Sequence, residues 1–498
     1  MNRRRGGSAG GPRRDDNTTM ATYLTTIGLE VHVQLKTRTK MFCACGTDFG
    51  SEPNTQICPV CLGYPGTMPV MNREAIRLTV LSGLMLGCRI NPFSKFDRKN
   101  YFYPDMPKNY QISQMDKPLC LGGGVDIEIG GKPRRIGITR IHQEEDVAKN
   151  THFASWSGID YNRAGVPLME IVSEPDMETP EEAFAYLIAL RQILVYAGVS
   201  DCDLEEGKMR CDVNVSIRPE GQKELGTKAE IKNMNTFKGV FAALHYEIAR
   251  QTGVVQEGGR IIQETRRWDA DLGKTFSMRS KEDAHDYRYF PEPDLMPVVL
   301  PESLLREWAA TLPELPAQRR ERFVREYGIP EYDAKVLAAD KDVGNYFETA
   351  ARRSRNPKTV SNWVMTDVLR ILSEQDIAID AFAIPPDALA ELADLADAKT
   401  INSNTARDVF AVMLTEGGRA GDIVAARGLA QVSDAGAVEA IVDQVLSENP
   451  KSVEDLRGGK AAALKHLVGQ AMKLSKGKAN PQMVGALIET KLGRMSAS

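Results

Sequence analysis

The segment TTIGLEVHVQL, residues 25–35, alternates apolar and polar side chains without interruption. Its apolar positions are Ile27, Leu29, Val31, Val33 and Leu35. Successive side chains of a β-strand point to opposite faces of its sheet, so this alternation predicts a strand with one buried face. The same strand must then present Glu30 and His32 side by side on its other face.

Polar positions also interrupt four other segments that are otherwise strongly apolar. MRCDVNVSIR alternates in the same way and places Asp212 and Asn214 on one face, while PLMEIV carries Glu170. AEIKNMN carries Glu230 and Lys232. GITRIHQEED supplies a longer set, namely Arg140, His142, Glu144, Glu145 and Asp146. For any single strand, the solvated outer face of an antiparallel sheet explains such residues. Taken together, their carboxylates and imidazoles favour a magnesium site that also receives substrate phosphates.

Two helices are marked by their ends. Thr179 and Glu182 form a capping-box pattern, and Gly198 follows the last turn of that helix. Pro180 takes the first helical position, where its missing N–H costs nothing. The second helix begins near Thr236. Its apolar stripe comprises Phe237, Val240, Phe241, Leu244 and Ile248.

The character of the chain changes twice. Residues 22–299 are rich in strand patterns, residues 313–428 are helical, and a helical tail follows from about residue 433. We therefore predict an α+β fold with a disordered leader (1–20), a strand-rich domain (21–315), a helical domain (316–430) and a tail domain (431–498). Residues 451–498 hold nine Lys and Arg against three Asp and Glu. A basic tail suits a phosphate backbone, although a solvated helical face explains the charge equally well.

The composition is that of an ordinary globular protein with several domains. The chain has 498 residues, of which 42% are hydrophobic and 26% charged, and its formal net charge is −4. No apolar run approaches the roughly 18 residues of a membrane-spanning helix. Residues 1–20 lack the apolar core of a secretory signal, so the expected location is the cytoplasm.

Cysteine spacing predicts a second kind of metal site. Cys43 and Cys45 precede Cys58 and Cys61 in the segment CACGTDFGSEPNTQICPVC. Two close pairs across a short loop are the pattern of a structural zinc ion held by four thiolates. Unligated thiols are the alternative.

Two segments combine cations with tyrosines. The first, SKFDRKNYFYPDMPKNYQ, includes Lys99 and Tyr101, and the second, HDYRYFPEPDLMP, includes Arg288 and Tyr289. Cations neutralise phosphates and aromatic rings stack on nucleobases. A surface loop with local packing accounts for the same composition.

Seven segments carry a resemblance to a known family. They are GLEVHVQL, SKFDRKNYFYPD, TRIHQEEDVAK, LMEIVSEPD, RCDVNVSIR, AEIKNMNTF and DYRYFPEPDLMP. From about Tyr23 to the C-terminus, the chain closely resembles the GatB family of aspartyl/glutamyl-tRNA amidotransferases. The resemblance implies a catalytic cradle of mostly antiparallel strands, an all-helical domain and a small helical tail domain similar to YqeY.

The resemblance also implies roles for individual residues. Those matching the family's magnesium-binding positions are Glu30, His32, Glu145, Glu170 and Asp212. Their expected neighbours are Glu144, Glu206 and Asn214. Asn214 is also expected to bind the cofactor. Those placed for ATP or the acceptor end of tRNA are Lys99, Tyr101, Arg288 and Tyr289. The zinc site is expected to shape the cradle near that end, and the basic tail to bind the tRNA body.

The implied reaction converts a mischarged tRNA. ATP phosphorylates the side-chain carboxylate of Glu-tRNA(Gln) or Asp-tRNA(Asn), and ammonia displaces the phosphate to leave the amide. The sequence shows no credible glutaminase nucleophile, so the resemblance implies a heterotrimer with an amidase-type A subunit and a small C subunit. Two rival hypotheses are a metal-dependent RNA phosphodiesterase and a non-catalytic zinc-ribbon scaffold that binds RNA.

Overall fold

The computed structural model describes residues 22–280, 287–431, 435–475 and 479–495. The predicted leader at 1–20 lies outside these residues. The chain divides into two compact units, one ending at Leu315 and the other beginning at Pro316. Within the described residues, no helix is long and apolar enough to cross a membrane.

The first unit contains all the strands that the described residues form. They are β1 (Tyr23–Gln34), β2 (Arg89–Ile90), β3 (Phe93–Ser94), β4 (Asp97–Asn100), β5 (Tyr110–Ser113), β6 (Cys120–Leu121), β7 (Gly124–Ile129), β8 (Lys132–Glu145), β9 (Lys149–His152), β10 (Ser157–Asp160), β11 (Pro167–Ser173), β12 (Met209–Pro219), β13 (Ala229–Met234), β14 (Glu264–Asp269), β15 (Lys274–Ser280), β16 (Phe290–Pro291) and β17 (Val298–Val299). Its helices are α1 (Arg73–Met85), α2 (Pro180–Tyr196), α3 (Phe237–Gln256) and α4 (Glu302–Ala309).

A ten-stranded sheet forms the centre of this unit. Its order is β15-β14-β13-β12-β1-β11-β8-β6-β2, and β7 pairs with β8 outside that path. Every pairing is antiparallel except that of β13 with β14. Strand β1 lies between β12 and β11, with its alternate residues Ile27, Leu29, Val31 and Val33 at most 1% exposed. The predicted strand and its buried face are therefore confirmed.

The predicted helix ends are also observed. Thr179 Oγ1 accepts a hydrogen bond from the N–H of Glu182 at 3.2 Å, and Gly198 follows α2 with φ +64°. The Glu182 carboxylate accepts from the N–H of Glu178 at 2.7 Å, one residue before the usual capping-box partner. In α3 the buried face includes Val240 and Leu244, as predicted.

The second unit is helical throughout its described residues. Its helices are α5 (Pro316–Tyr327), α6 (Glu331–Leu337), α7 (Lys341–Arg353), α8 (Pro357–Trp363), a π-helical turn (Val364–Val368), α9 (Leu369–Gln375), a 3-10 turn (Ile379–Ala381), α10 (Pro386–Asp397), α11 (Ser403–Glu416), α12 (Ala420–Ala426), α13 (Ala435–Glu448), α14 (Pro450–Arg457), α15 (Ala461–Leu474) and α16 (Pro481–Met495). One hydrophobic core runs from Phe323 to Val424, and a separate core runs from Val438 to Leu492. The α+β fold class with helical C-terminal parts is confirmed.

Candidate functional site

Cross-strand pairing brings the predicted polar residues together on one face of the central sheet. Glu30 of β1 lies opposite Asp212 of β12, and His32 lies opposite Glu170 of β11. Two groups of ligand atoms result, each with all of its atoms within 4.8 Å of one another. We call His32, Glu144 and Glu170 the histidine cluster, and Glu30, Asp212 and Glu230 the acidic cluster.

The histidine cluster is held by short polar contacts. His32 Nε2 lies 3.3 Å from Glu170 Oε2, and His142 Nε2 lies 3.5 Å from the same oxygen. Burial disfavours the charged form of Glu170, but the hydrogen bond from His32 and the charges of both histidines outweigh it and lower the pKa of Glu170 to about 2. This carboxylate is therefore ionised at neutral pH and offers oxygen ligands.

Glu144 is the most firmly held member of the histidine cluster. Its side chain is 2% exposed and accepts hydrogen bonds from Ser113 Oγ at 2.7 Å and Gln111 Nε2 at 3.1 Å. Lys99 Nζ lies 3.8 Å from Glu144 Oε1. This lysine thus places a positive charge at the edge of the cluster.

The acidic cluster has its own polar partners. Asn214 Nδ2 donates to Glu30 Oε1 at 2.9 Å, and Lys232 Nζ lies 2.5 Å from Asp212 Oδ2 and 3.2 Å from Glu230 Oε1. Burial and the nearby charge of Glu170 raise the pKa of Glu30. Since a cation among these oxygens would remove that repulsion, the donor set fits a hard divalent ion such as Mg²⁺.

Glu145 does not join either cluster. It follows Glu144 on β8, so its side chain points to the opposite face, where it forms an ion pair with Lys108. There it also accepts from the N–H of Ile112 at 3.0 Å and lines a cavity of about 100 Å³. The carboxylate that β8 contributes to the histidine cluster is that of Glu144, and the assignment of magnesium to Glu145 stays a prediction. Glu206 is also elsewhere and pairs with Lys208 at 2.6 Å.

The two tyrosine-rich segments meet beside the histidine cluster. Lys99 Nζ lies 5.2 Å from the ring centre of Tyr287, whose ring is 6.4 Å from that of Tyr101 and 6.1 Å from that of Tyr289. Burial raises the pKa of Tyr289, against the opposing charge of Lys99. The side chain of Arg288 is exposed, and its backbone carbonyl accepts from Asn100 Nδ2 at 2.8 Å. These four predicted residues therefore belong to one neighbourhood.

The four predicted cysteines also come together, with sulfurs within 4.8 Å of one another. A hydrogen bond from Cys43 lowers the pKa of Cys61 to about 4, and Lys40 Nζ lies 3.7 Å from the Cys61 sulfur. The intervening loop is tied to the β9–β10 hairpin, since the N–H of Asn54 donates to Asp160 Oδ1 at 3.0 Å. Four converging sulfurs leave no open ligand position, so the group fits a structural zinc ion.

Comparison with known proteins shows which family the chain belongs to. The family model described as the GatB/GatE catalytic domain matches residues 25–306, and the model described as the GatB domain matches residues 345–492. The chain belongs to the GatB family. Both clusters and the four cysteines lie inside the part matched by the GatB/GatE catalytic domain.

GatB relatives match nearly the whole chain. The B subunit of the aspartyl/glutamyl-tRNA(Asn/Gln) amidotransferase from Carboxydothermus hydrogenoformans is 53% identical over 481 residues, which cover 96% of this chain and 100% of the relative. The protein of the same description from Caldanaerobacter subterraneus is 54% identical over 473 residues, covering 95% of this chain and 100% of the relative.

Several residues of this GatB site were noticed in the sequence without receiving a role. Glu230 belongs to the acidic cluster, and His142 and Lys232 each contact a cluster residue. The available signal was the period of two along each strand, because His142 and Glu144 share a face on β8 while Glu145 does not. The pairing of β12 with β13 then brings Glu230 opposite Asn214, which no single strand pattern indicates.

Proposed function

We propose that this chain is the B subunit of an aspartyl/glutamyl-tRNA(Asn/Gln) amidotransferase and contains the site that activates and amidates the misacylated amino acid. The observation that supports this most directly is the pair of carboxylate-rich clusters on one sheet face in a chain of the GatB family. Close charged groups of this kind suit phosphoryl transfer, which depends on positioning and charge neutralisation more than on a protein nucleophile.

Each cluster has a part in this proposal. His32, Glu144 and Glu170 would hold one magnesium ion, and Glu30, Asp212 and Glu230 would hold another. Magnesium bound there would neutralise the charge of the phosphates of ATP. In the first step the side-chain carboxylate of the tRNA-bound Glu or Asp attacks the γ-phosphorus and ADP leaves. In the second step ammonia attacks the acyl phosphate, phosphate leaves, and the amide remains.

The surrounding residues keep substrates in place. One wall of the site receives ATP or the acceptor end of the tRNA. It consists of the Lys99–Glu144 ion pair and the rings of Tyr101 and Tyr289, and Arg288 is exposed beside it. Asn214 fixes the Glu30 carboxylate by its hydrogen bond. The cysteine group holds zinc and orders the loop that carries it.

The proposal also includes the partners and the remaining domains. An amidase-type A subunit releases ammonia from glutamine, and a small C subunit holds the complex together. The tail at 431–498 binds the tRNA body, and Lys473 is exposed in the last turn of α15. Lys476, the next basic residue of the tail, lies outside the described residues.

The decisive test is amide formation on Glu-tRNA(Gln) and Asp-tRNA(Asn) with ATP and magnesium, using the chain with and without its A and C partners. Glutamine and ammonium serve as alternative nitrogen donors. Glu170→Gln keeps the size of the side chain but removes the charge that faces His32 and His142, so we expect activity to fall at least 100-fold with either donor. A drop only with glutamine would assign the defect to ammonia supply.

Glu220→Gln is the matched control, because Glu220 is an exposed carboxylate just beyond the end of β12. It should amidate at the wild-type rate. If Glu170→Gln is as active as this control, the assignment of the clusters is wrong. RNA cleavage without ATP would instead favour the phosphodiesterase hypothesis.

A further inference from the structure

Asp146 is a buried carboxylate that has no place in the clusters. It follows β8 directly and is 1% exposed. Four donors converge on it, namely Arg210 Nη1 at 3.0 Å, Arg210 Nη2 at 2.9 Å, Gln34 Nε2 at 2.7 Å and the N–H of Val147 at 2.8 Å. These donors compensate the buried charge of Asp146, and the carboxylate in turn holds its donors in place. The guanidinium of Arg210, which donates two of the four hydrogen bonds, is therefore fixed in one position.

The guanidinium of Arg210 is only partly used by these contacts. Asp146 takes the edge formed by Nη1 and Nη2, and the carbonyl of Gly207 accepts the other N–H of Nη1 at 3.1 Å. Of five N–H donors, the Nε–H and the second N–H of Nη2 have no partner within the described part of the chain. These two N–H bonds are parallel, which is the geometry that binds two oxygens of a carboxylate or phosphate.

Arg210 borders both clusters. It is directly opposite His32 in the pairing of β1 with β12, and two residues from Asp212 on the same strand. Its side chain is 34% exposed, so a substrate can reach it.

The two lysines beside the clusters are already engaged. Lys99 faces Glu144 and Lys232 contacts both Asp212 and Glu230, so both lysines compensate the charge of cluster carboxylates. Arg210 pairs instead with Asp146, which lies outside the clusters, and the Nε–Nη2 edge of its guanidinium remains available to a ligand. A rigid pair of donors with a neutralised charge serves to orient an oxyanion.

We propose that Arg210, positioned by Asp146, binds an oxyanion of the reacting substrates through its Nε–H and Nη2–H. The oxyanion is either the side-chain carboxylate of the aminoacyl group or a phosphate of ATP. This inference rests on the proposed amidotransferase function. Arg210 is the binding residue, and Asp146 is a positioning residue.

Equilibrium binding to the full chain in its complex separates the two oxyanions. Glu-tRNA(Gln), Gln-tRNA(Gln), the ATP analogue AMP-PNP with magnesium, and adenosine are compared for wild type, Arg210→Ala and Arg210→Lys. If the carboxylate is bound, Arg210→Ala loses about 10- to 100-fold in affinity for Glu-tRNA(Gln) but not for Gln-tRNA(Gln). If a phosphate is bound, the loss falls on AMP-PNP and not on adenosine.

Three variants show whether the effect belongs to the donor pair. Arg210→Lys keeps the charge without the two parallel donors and should recover little of the affinity. Asp146→Asn keeps Arg210 but loosens it, so it should weaken the same ligand by a smaller factor. Arg135→Ala removes an exposed arginine whose Nη1 contacts both carboxylate oxygens of Asp126, and it should bind all four ligands like the wild type. Equal losses for all ligands, or none for any, overturn the proposal.

A separate readout keeps this inference distinguishable from the proposed function. Phenylglyoxal modifies arginines, and an oxyanion bound to Arg210 slows that reaction at this residue. If the wild-type complex forms no amide, the proposed function fails. Protection of Arg210 by inorganic phosphate or acetate alone would then still support an oxyanion site, and absence of protection would overturn the inference about Arg210.

Discussion

Glu348, on α7 of the helical unit, offers a quantitative test of the fold. Its side chain is 11% exposed and accepts hydrogen bonds from Arg322 Nη1 at 2.6 Å, Arg319 Nη2 at 3.2 Å and Tyr327 Oη at 3.2 Å. Burial opposes its charge, but the hydrogen bond and charge of Arg322 and the charge of Arg352 outweigh it and lower the pKa of Glu348 from 4.5 to about 2. Each pH unit of such a shift corresponds to about 1.36 kcal/mol.

The stabilisation from this carboxylate is therefore about 3 kcal/mol at neutral pH. Because the pKa is lower in the folded chain, the stabilisation is fully present above pH 4.5 and disappears as the pH falls towards 2. At pH 3 less than half of it should remain. Glu348→Gln keeps the shape of the side chain but removes its charge, so it should cost about 3 kcal/mol at pH 7 and much less at pH 3.

Hydrogen exchange of the α7 amides, followed by mass spectrometry through a urea series at pH 7 and pH 3, measures this difference in the full chain. The control is Glu374→Gln, because Glu374 pairs with Arg370 in a contact where both side chains are more than half exposed. That variant should change the free energy of unfolding by less than about 0.5 kcal/mol. A cost for Glu348→Gln that is the same at both pH values would refute the electrostatic argument and leave packing as the cause.

Two further predictions concern the metal and the tail. By elemental analysis we expect one equivalent of zinc per chain, and Cys58→Ser should abolish it. The same variant should make the loop before Cys58 more sensitive to proteolysis. Cys88→Ser, which changes a buried thiol outside the group, should keep the zinc. If both variants retain zinc, the four cysteines are not its ligands. Lys473→Glu should weaken tRNA binding and reduce the slope of log affinity against log salt by about 1, whereas Lys335→Glu, an exposed lysine of the helical domain, should leave the slope unchanged. An unchanged slope in Lys473→Glu would contradict a role for that lysine.

Sequence patterns predicted those parts of the site that depend on one strand at a time. The alternation around Glu30 and His32 gave both the buried face of β1 and the polar pair opposite it. The same rule applied to β8 separates Glu144 from Glu145, and here the family resemblance singled out the residue that faces the other way. A period of two is a local property, and along β8 it places Glu144, and not Glu145, beside His32 and Glu170.

Contacts between distant segments could not be predicted in this way. Glu230 reaches the acidic cluster through the pairing of β12 with β13, and Arg210 meets Asp146 across 64 residues of chain. Helix α3 shows the same limit, since its buried face includes Glu247 at 0% exposure. Arg250 of the same helix donates two hydrogen bonds to this carboxylate, but its other partners, Arg266 and Thr275, come from strands 19 or more residues away in sequence. Their charge and hydrogen bonds matter only once the fold has placed them.

The hydrogen bonds that hold Glu144 have a consequence for the entropy of ion binding. A free glutamate side chain loses about 1.5–2 kcal/mol of rotamer freedom when it is fixed in one position. Because Ser113 and Gln111 already fix this carboxylate in the folded chain, that loss accompanies folding and does not recur when a cation arrives. The affinity of the histidine cluster should therefore depend on desolvation and charge, with little conformational entropy left to lose at this ligand.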